Sequence, residues 1–388
     1  MLLVKIDYTK IELITGGQIM RVGIPKEVKS NENRVSVVPE GVVQLIKDGH
    51  EVFVQSSAGN GIGCDDNSYI SAGATVLPRL EDIYAQAQFI VKVKEPQEHE
   101  VLLLTPDHTI FTYLHLASNK KLTQSLMKSG SSCIAYETVQ LSDNSLPLLT
   151  PMSEVAGKVA VQAGANHLQF NRGGKGILLG GVPGTRRGKV TVIGCGRAGS
   201  SAIQVALGMG AQVTAIDISH QRLSELDLLY GSQITTLYSS PHTIKESLKT
   251  ADLVIGAVLV PGAKATQLIT REMIEAMSPG SVVADIAVDQ GGCIETTRPT
   301  THDEPTFTVG GVIHYCVANI PGAVPNTSTY ALTNVTFPYI RTIANLGLTK
   351  AAEADSALRA GINIYKGDLV YQQIADDLNL AYRSLVLT

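Results

Sequence analysis

The sequence predicts an α/β protein of two domains built on parallel sheets. Short β-branched runs alternate with helical stretches from Met20 to about Leu149, and at 189–208 a strand, a glycine-rich turn and a helix follow one another directly. The 388 residues also exceed the length at which one hydrophobic core stops growing, roughly 250 to 300 residues.

The first nineteen residues carry Lys5, Asp7, Lys10 and Glu12 between short apolar stretches, so they lack the continuous apolar run of an export signal. Gly16-Gly17-Gln18 resembles a translated ribosome-binding site ahead of Met20. Residues 1–19 are therefore expected to be a non-native or disordered leader, with Met20 the natural start.

The fold opens at Arg21-Val22-Gly23-Ile24-Pro25. A helix near Gly41–Gly49 and the runs Glu51–Gln55 and Phe89–Val93 continue as βαβ units. Met152–Leu168 reads as one helix. The glycine clusters at 173–176 and 180–184 mark loops. Lys189–Ile193 is a strand running into Gly194-Cys195-Gly196-Arg197-Ala198-Gly199 and the helix Ser200–Gly208. A second strand, Gln212–Ile216, ends at Asp217, and Asp252–Val260 and Ser281–Ile286 are further strand candidates. The tail from Ala331 reads as helical.

Apolar residues at 44% and charged residues at 17% describe a globular chain. A net charge of −4 with no Lys/Arg run argues against a nucleic-acid partner. No apolar run approaches the ~18 residues of a membrane span, so a cytoplasmic location is expected. Cys64, Cys133, Cys195, Cys293 and Cys316 are scattered without C-x-x-C spacing, which suggests neither a disulfide framework nor a zinc site.

The turn at 194–199 has the spacing G-x-G-x-x-G. Gly194 permits the tight turn, Gly196 lets the backbone approach a pyrophosphate, and Gly199 lets helix and strand pack closely, with phosphate charge at the helix N-terminus. Asp217, ending the second strand, can accept both ribose hydroxyls and would repel a 2′-phosphate, which argues for NAD over NADP. Arg222 is near enough to touch the adenosine, which leaves tolerance of NADP open.

Beyond this fingerprint, longer motifs occur in order: Arg21-Val22-Gly23-Ile24-Pro25-Lys26-Glu27, Asn33-Arg34-Val35, Val93-Lys94-Glu95-Pro96, Tyr113-Leu114-His115-Leu116-Ala117, Ala135-Tyr136-Glu137-Thr138-Val139, Pro151-Met152-Ser153-Glu154, Gly256-Ala257-Val258-Leu259-Val260-Pro261-Gly262 and Asp285-Ile286-Ala287-Val288-Asp289-Gln290-Gly291-Gly292. From Met20 to near the C-terminus the chain resembles the alanine dehydrogenase and pyridine nucleotide transhydrogenase family. The resemblance implies two Rossmann-like domains, with a nucleotide-binding domain at 148–325 inserted into a discontinuous substrate domain of 20–147 and 326–388. An active site in the cleft between them, hinge closure and a homohexamer are implied too. The implied reaction is reversible, NAD-dependent deamination of L-alanine to pyruvate and ammonium.

Removing hydride from an amino-acid α-carbon requires a carboxylate clamp and a proton acceptor. Arg34 offers a planar fork for a carboxylate, and the resemblance gives it that role. Lys92 and Lys94 alternate on one strand and share a face; only the resemblance selects Lys94 as the cation beside the substrate. A lone histidine in an apolar run is commonly a core residue. The resemblance makes His115 the acid–base group, a task suited to histidine's ordinary pKa of ~6.5, and makes Asp289 the second catalytic group. It further implies that Ser153, Arg197, Ala198, Ser239, Val258, Leu259, the Ile286–Asp289 run including Ala287 and Val288, Arg298, and Val317, Ala318, Asn319 and Ile320 line the cofactor.

Some family members hold a metal between a residue at the place of Glu137 and a histidine. Here Leu346 stands at the corresponding place, so no metal is expected. Two other readings are a nucleotide-binding subunit of a proton-translocating transhydrogenase and an opine- or saccharopine-type dehydrogenase.

Overall fold

The computed structural model describes residues 19–258 and 266–387, so residues 1–18 of the leader and Leu259 lie outside the described residues. The chain packs as two units, one of residues up to Lys29, Asn33–Leu148 and Leu332 onward, the other of Ser30–Glu32 and Leu149–Ala331.

In the first unit, β1 (Arg21–Ile24), β2 (Glu51–Gln55), β3 (Thr75–Leu77), β4 (Phe89–Val91), β5 (Thr109–Thr112) and β6 (Ser132–Ala135) are parallel, in the spatial order β3-β2-β1-β4-β5-β6. The central strands β4 and β6 are buried along their whole length, as expected of a parallel sheet covered on both faces. The Phe89–Val93 run ends as a strand at Val91, two residues early, and the Val93 N–H donates to the Glu27 carboxylate at 2.6 Å.

In the second unit, β7 (Lys189–Ile193), β8 (Gln212–Asp217), β9 (Ile234–Tyr238), β10 (Leu253–Gly256), β11 (Val282–Asp285), β12 (Thr306–Val309) and β13 (Val312–Tyr315) form a sheet ordered β12-β13-β11-β10-β7-β8-β9. Every neighbouring pair is parallel except β12–β13. Counted from β7 and leaving out β12, this is the doubly wound order 3-2-1-4-5-6 of dinucleotide-binding folds. The first unit repeats that order, so both sheets are Rossmann-like. The core of the second unit joins Val190, Val192, Ala202, Ile203, Val213, Leu253 and Val282 with Ala160 and Val161 of the helix Thr150–His167.

The tail departs from its helical reading. The helix Pro325–Ala354 contains Pro338 and breaks at Gly347 (φ 73°, ψ 160°), and after the short helix Ser356–Ala360 the chain forms a hairpin. Its strands are β14 (Ile362–Tyr365) and β15 (Asp368–Leu369), antiparallel around Lys366 and Gly367. Both turn residues have positive φ (49° and 84°), the geometry that matches the right-handed strand twist in a two-residue hairpin. β14 is buried throughout and adds antiparallel to β6, extending the first sheet to eight strands.

Candidate active site

In doubly wound sheets, ligands bind outside the carboxyl ends of the strands, where the strand order reverses. In the first unit that point lies between β1 and β4. Arg34 follows β1, Lys94 follows β4, His115 follows β5 and Glu137 follows β6, so one sheet edge gathers all four.

The structure separates the two lysines. Lys92 is fully buried between the carboxylates of Glu27 (3.2 Å) and Glu100 (2.8 Å). Burial alone would push its ammonium down, but the two carboxylates outweigh that and hold its pKa above the usual lysine value. Lys92 therefore holds Glu27 in place, and Glu27 in turn binds the Val93 N–H just ahead of Lys94. Replacing Lys92 with Met leaves two buried carboxylates facing each other. The expected loss is about 3–5 kcal/mol, read from chemical denaturation.

Arg34 is 2% and Lys94 7% exposed. The charges of Arg34 and Glu137 both reach the buried Tyr113 phenol, which burial pushes up, Arg34 pulls down and Glu137 raises. Lys94 and Lys29 act together on half-buried Glu95, overcoming the upward pull of burial to hold its carboxyl below the usual range. Both residues of the candidate clamp are thus largely buried cations, Arg34 near the Tyr113 phenol and Lys94 near Glu95.

His115 differs from its neighbours. Leu114 and Leu116 are buried at 0% and 1% exposure while His115 is exposed, and its backbone is left-handed (φ 50°, ψ 40°). That conformation costs a residue other than glycine about 1–2 kcal/mol and marks functional sites when the surroundings enforce it. Its ring stacks on Tyr113 at 5.8 Å and 9°, and the Tyr113 hydroxyl donates to the Leu148 carbonyl at 2.6 Å.

In the second unit the carboxyl ends of β7, β8, β9, β10, β11 and β13 carry, respectively, Gly194–Gly199, Asp217, Ser239, Val258, Ile286–Asp289 and Val317–Ile320. Gly194 has φ 86°, a Cβ on Gly199 would lie 1.8 Å from the Gly194 carbonyl oxygen, and a Cβ on Gly196 would meet nothing within 4 Å. The three glycines thus serve turn, packing and open approach. The helix Arg197–Gly208 starts without a side-chain cap, which leaves first-turn N–H groups and the positive end of the helix dipole for a phosphate. This edge fits a pyridine nucleotide.

Asp217 also organises that turn, accepting the Cys195 N–H (2.6 Å) and the Ser219 N–H (2.8 Å). Arg222 is tied to the glycine turn and its neighbouring helices. Its guanidinium donates to the Cys195 carbonyl (2.8 Å), Ser200 Oγ (2.5 Å) and the Glu225 carboxylate (2.6 Å). Burial, with Asp217 adding to it, pushes the Cys195 thiol up to about 12. Ser153 lies in the first turn of the helix Thr150–His167, and Arg298 rests its guanidinium on the Phe307 ring at 4.5 Å.

Asp289 stands four residues beyond β11, exposed, in the short turn Val288–Gln290. Sequence reasoning passed over the residue that shapes that loop. Buried Asp285 accepts the N–H groups of Ala287, Cys293 and Ile294 and the Thr297 hydroxyl. Burial is the largest influence on its carboxyl and raises its pKa. The signal was present: an acid at the end of an apolar strand, followed by turn residues. Asn319 is likewise left-handed (φ 74°), with its amide on Glu32 at 2.9 Å and its carbonyl facing His302 Nε2 at 3.0 Å.

Among the described residues no three His, Cys, Asp or Glu side chains cluster so as to hold a metal ion. The Glu137 carboxylate accepts the backbone N–H groups of Leu114 and His115. No helix among the described residues is long and apolar enough to cross a membrane.

Two family models match the chain: alanine dehydrogenase/PNT N-terminal domain over residues 23–156 and alanine dehydrogenase/PNT C-terminal domain over residues 160–372. The alanine dehydrogenase of Geobacillus stearothermophilus is 53% identical over 364 residues, covering 94% of this chain and 98% of the relative. That of Bacillus subtilis is 52% identical, covering 94% and 96%. A solved L-alanine dehydrogenase superposes with a TM-score of 0.90 at 49% identity, covering 93% of this chain and 99% of the other. A transhydrogenase from Sinorhizobium meliloti superposes at 0.77 with 25% identity, covering 90% and 99%.

Proposed function

Since the chain belongs to the alanine dehydrogenase/PNT family, we propose that it interconverts L-alanine, NAD⁺ and water with pyruvate, ammonium, NADH and a proton. The observation that carries this reading is identity of about half along 94% of the chain with enzymes named alanine dehydrogenase, against a far more distant likeness to a transhydrogenase. Buried Arg34 and Lys94 and exposed His115, which follow β1, β4 and β5 at one edge of the first sheet, support it, because a carboxylate-bearing substrate needs a cationic clamp.

Arg34 forks the substrate carboxylate, and Lys94 lies against the oxygen or nitrogen that becomes doubly bonded to Cα, favouring the charge that develops there. The nucleotide, when bound, supplies the acceptor for hydride from Cα. His115 takes the ammonium proton and releases it to solvent as the net proton of the reaction, then removes a proton from water as it adds to the iminopyruvate, and returns that proton to the amine as the carbinolamine collapses to pyruvate and ammonium. Asp289 acts as the second acid–base group. Gly194, Gly196 and Gly199 would hold the pyrophosphate, and Asp217 the adenosine ribose.

NAD is preferred over NADP in this reading because Asp217 repels a 2′-phosphate and Arg222 is committed to the glycine turn. Reductive amination of pyruvate, followed by nucleotide absorbance, should run at least about tenfold faster per unit KM with NADH than with NADPH, a difference of about 1.4 kcal/mol. Equal rates would refute the NAD assignment. Turnover only after a second amino acid is added would replace the whole reading with an opine-type one. Assembly as a homohexamer and a cytoplasmic site of action belong to the same proposal, and light scattering in solution tests the former.

A further inference from the structure

We infer that Glu137 is a positioning residue, whose carboxylate holds the left-handed turn that presents His115. The inference rests on the proposed acid–base role of His115. Strand register brings the two together. β5 and β6 pair Phe111 with Ile134 and Thr112 with Ala135, and the same step carried past the strand ends sets Leu114 opposite Glu137. The last ladder-like bond on this side is from the Tyr113 N–H to the Val93 carbonyl at 3.3 Å. Beyond it the consecutive N–H groups of Leu114 and His115 turn to Glu137, at 3.1 and 2.6 Å from one carboxylate oxygen, with Leu114 also 3.3 Å from the other.

Two successive N–H groups converging on one anion form a backbone nest. The anion here comes from the protein itself. Bonds to an ionised acceptor are roughly twice as strong as neutral ones, which suits a turn that an L-residue avoids.

Glu137 is fastened in its turn by its neighbour. The Thr138 hydroxyl donates to the Gly361 carbonyl at 3.2 Å and receives the Asn363 side-chain amide of β14 at 2.8 Å. Many catalytic histidines are oriented by a carboxylate on a ring nitrogen. Among the described residues neither His115 ring nitrogen has such a partner; the carboxylate acts one step back, on the backbone, and leaves both nitrogens to substrate.

The test compares E137A, E137Q, H115A and the double variant E137A/H115A, measuring pyruvate amination with NADH alongside NADH affinity. E137A is expected to lose on the order of 10²-fold in kcat, the scale of a misplacement of about 1 Å, with NADH affinity unchanged. E137Q retains an oxygen that can accept both N–H groups and should keep kcat within about tenfold of wild type. If Glu137 acts through His115, the double variant falls no further than H115A alone.

Effects that multiply in the double variant would overturn the inference, as would a folded E137A with wild-type kcat. Should E137A fail to fold, E137Q alone decides: retained turnover supports an acceptor role, and loss as deep as that of H115A refutes it. Full activity in H115A would instead bring down the functional reading itself, whatever the Glu137 variants do.

Discussion

His115→Ala is expected to lower kcat for pyruvate amination by about 10²- to 10⁴-fold, the range over which positioned acid–base groups act, while NADH binds as before. The separation follows from where the groups sit in the chain. His115 follows β5 of the first sheet, whereas the glycine turn and Asp217 belong to the second. The substitution also removes an exposed side chain, with Leu114 and Leu116 on either side remaining in the core. Stability should change little, apart from the loss of stacking on Tyr113. Stopped-flow NADH fluorescence together with steady-state turnover checks both halves; equal loss of NADH affinity and turnover would show that His115 serves the fold or the nucleotide.

The second large effect separates two glycines three residues apart. Gly199→Ala places a methyl 1.8 Å from the Gly194 carbonyl oxygen, a backbone atom that cannot rotate away, with Val192 3.3 Å behind it. The strand, turn and helix at 189–208 would have to separate, so loss of NADH binding and a marked drop in the unfolding midpoint are expected. Gly196→Ala meets no atom within 4 Å, at a φ of −65° open to any residue. It should fold with wild-type stability and still bind NADH at least tenfold more weakly, about 1.4 kcal/mol, because the added methyl occupies the approach to the pyrophosphate. Thermal unfolding and NADH titration on both variants read this directly. If Gly196→Ala binds NADH normally, the turn is structural only.

These two cases also show what was legible in the sequence. The glycine turn was readable because its determinants are local: strand, spacing and helix follow one another within twenty residues, and the acid at Asp217 ends the next strand. Several parallel strands were equally plain, since β4, β10 and β11 are buried along their whole length and lie in apolar runs. Determinants supplied from far along the chain were not. Alternation could not choose between Lys92 and Lys94, because the choice lies in Glu27 and Glu100, which claim Lys92.

Nothing near His115 in sequence announced its left-handed turn, since the acceptor that sustains it comes from the end of the next strand. The three partners of Arg222 on the turn and helices could not be read from its place in the sequence. The β14–β15 hairpin was missed because four- and two-residue strands leave little pattern, and the longer strand's partner, β6, lies more than two hundred positions earlier.

That remote partner sets an order in time. β6 is bordered by β14, and Lys366 caps the junction by donating its N–H to Ser132 Oγ at 3.1 Å across 234 positions. All strands of the second sheet lie between Lys189 and Tyr315, so that sheet can close while the first still lacks its last members. At ribosomal speeds of ~5–20 residues per second, β6 leaves the ribosome roughly ten to fifty seconds before the strand that covers it. Through that interval its outer edge offers unpaired amides and carbonyls to any other nascent chain. The nascent polypeptide is most vulnerable to wrong pairing while its nucleotide-binding sheet is being made.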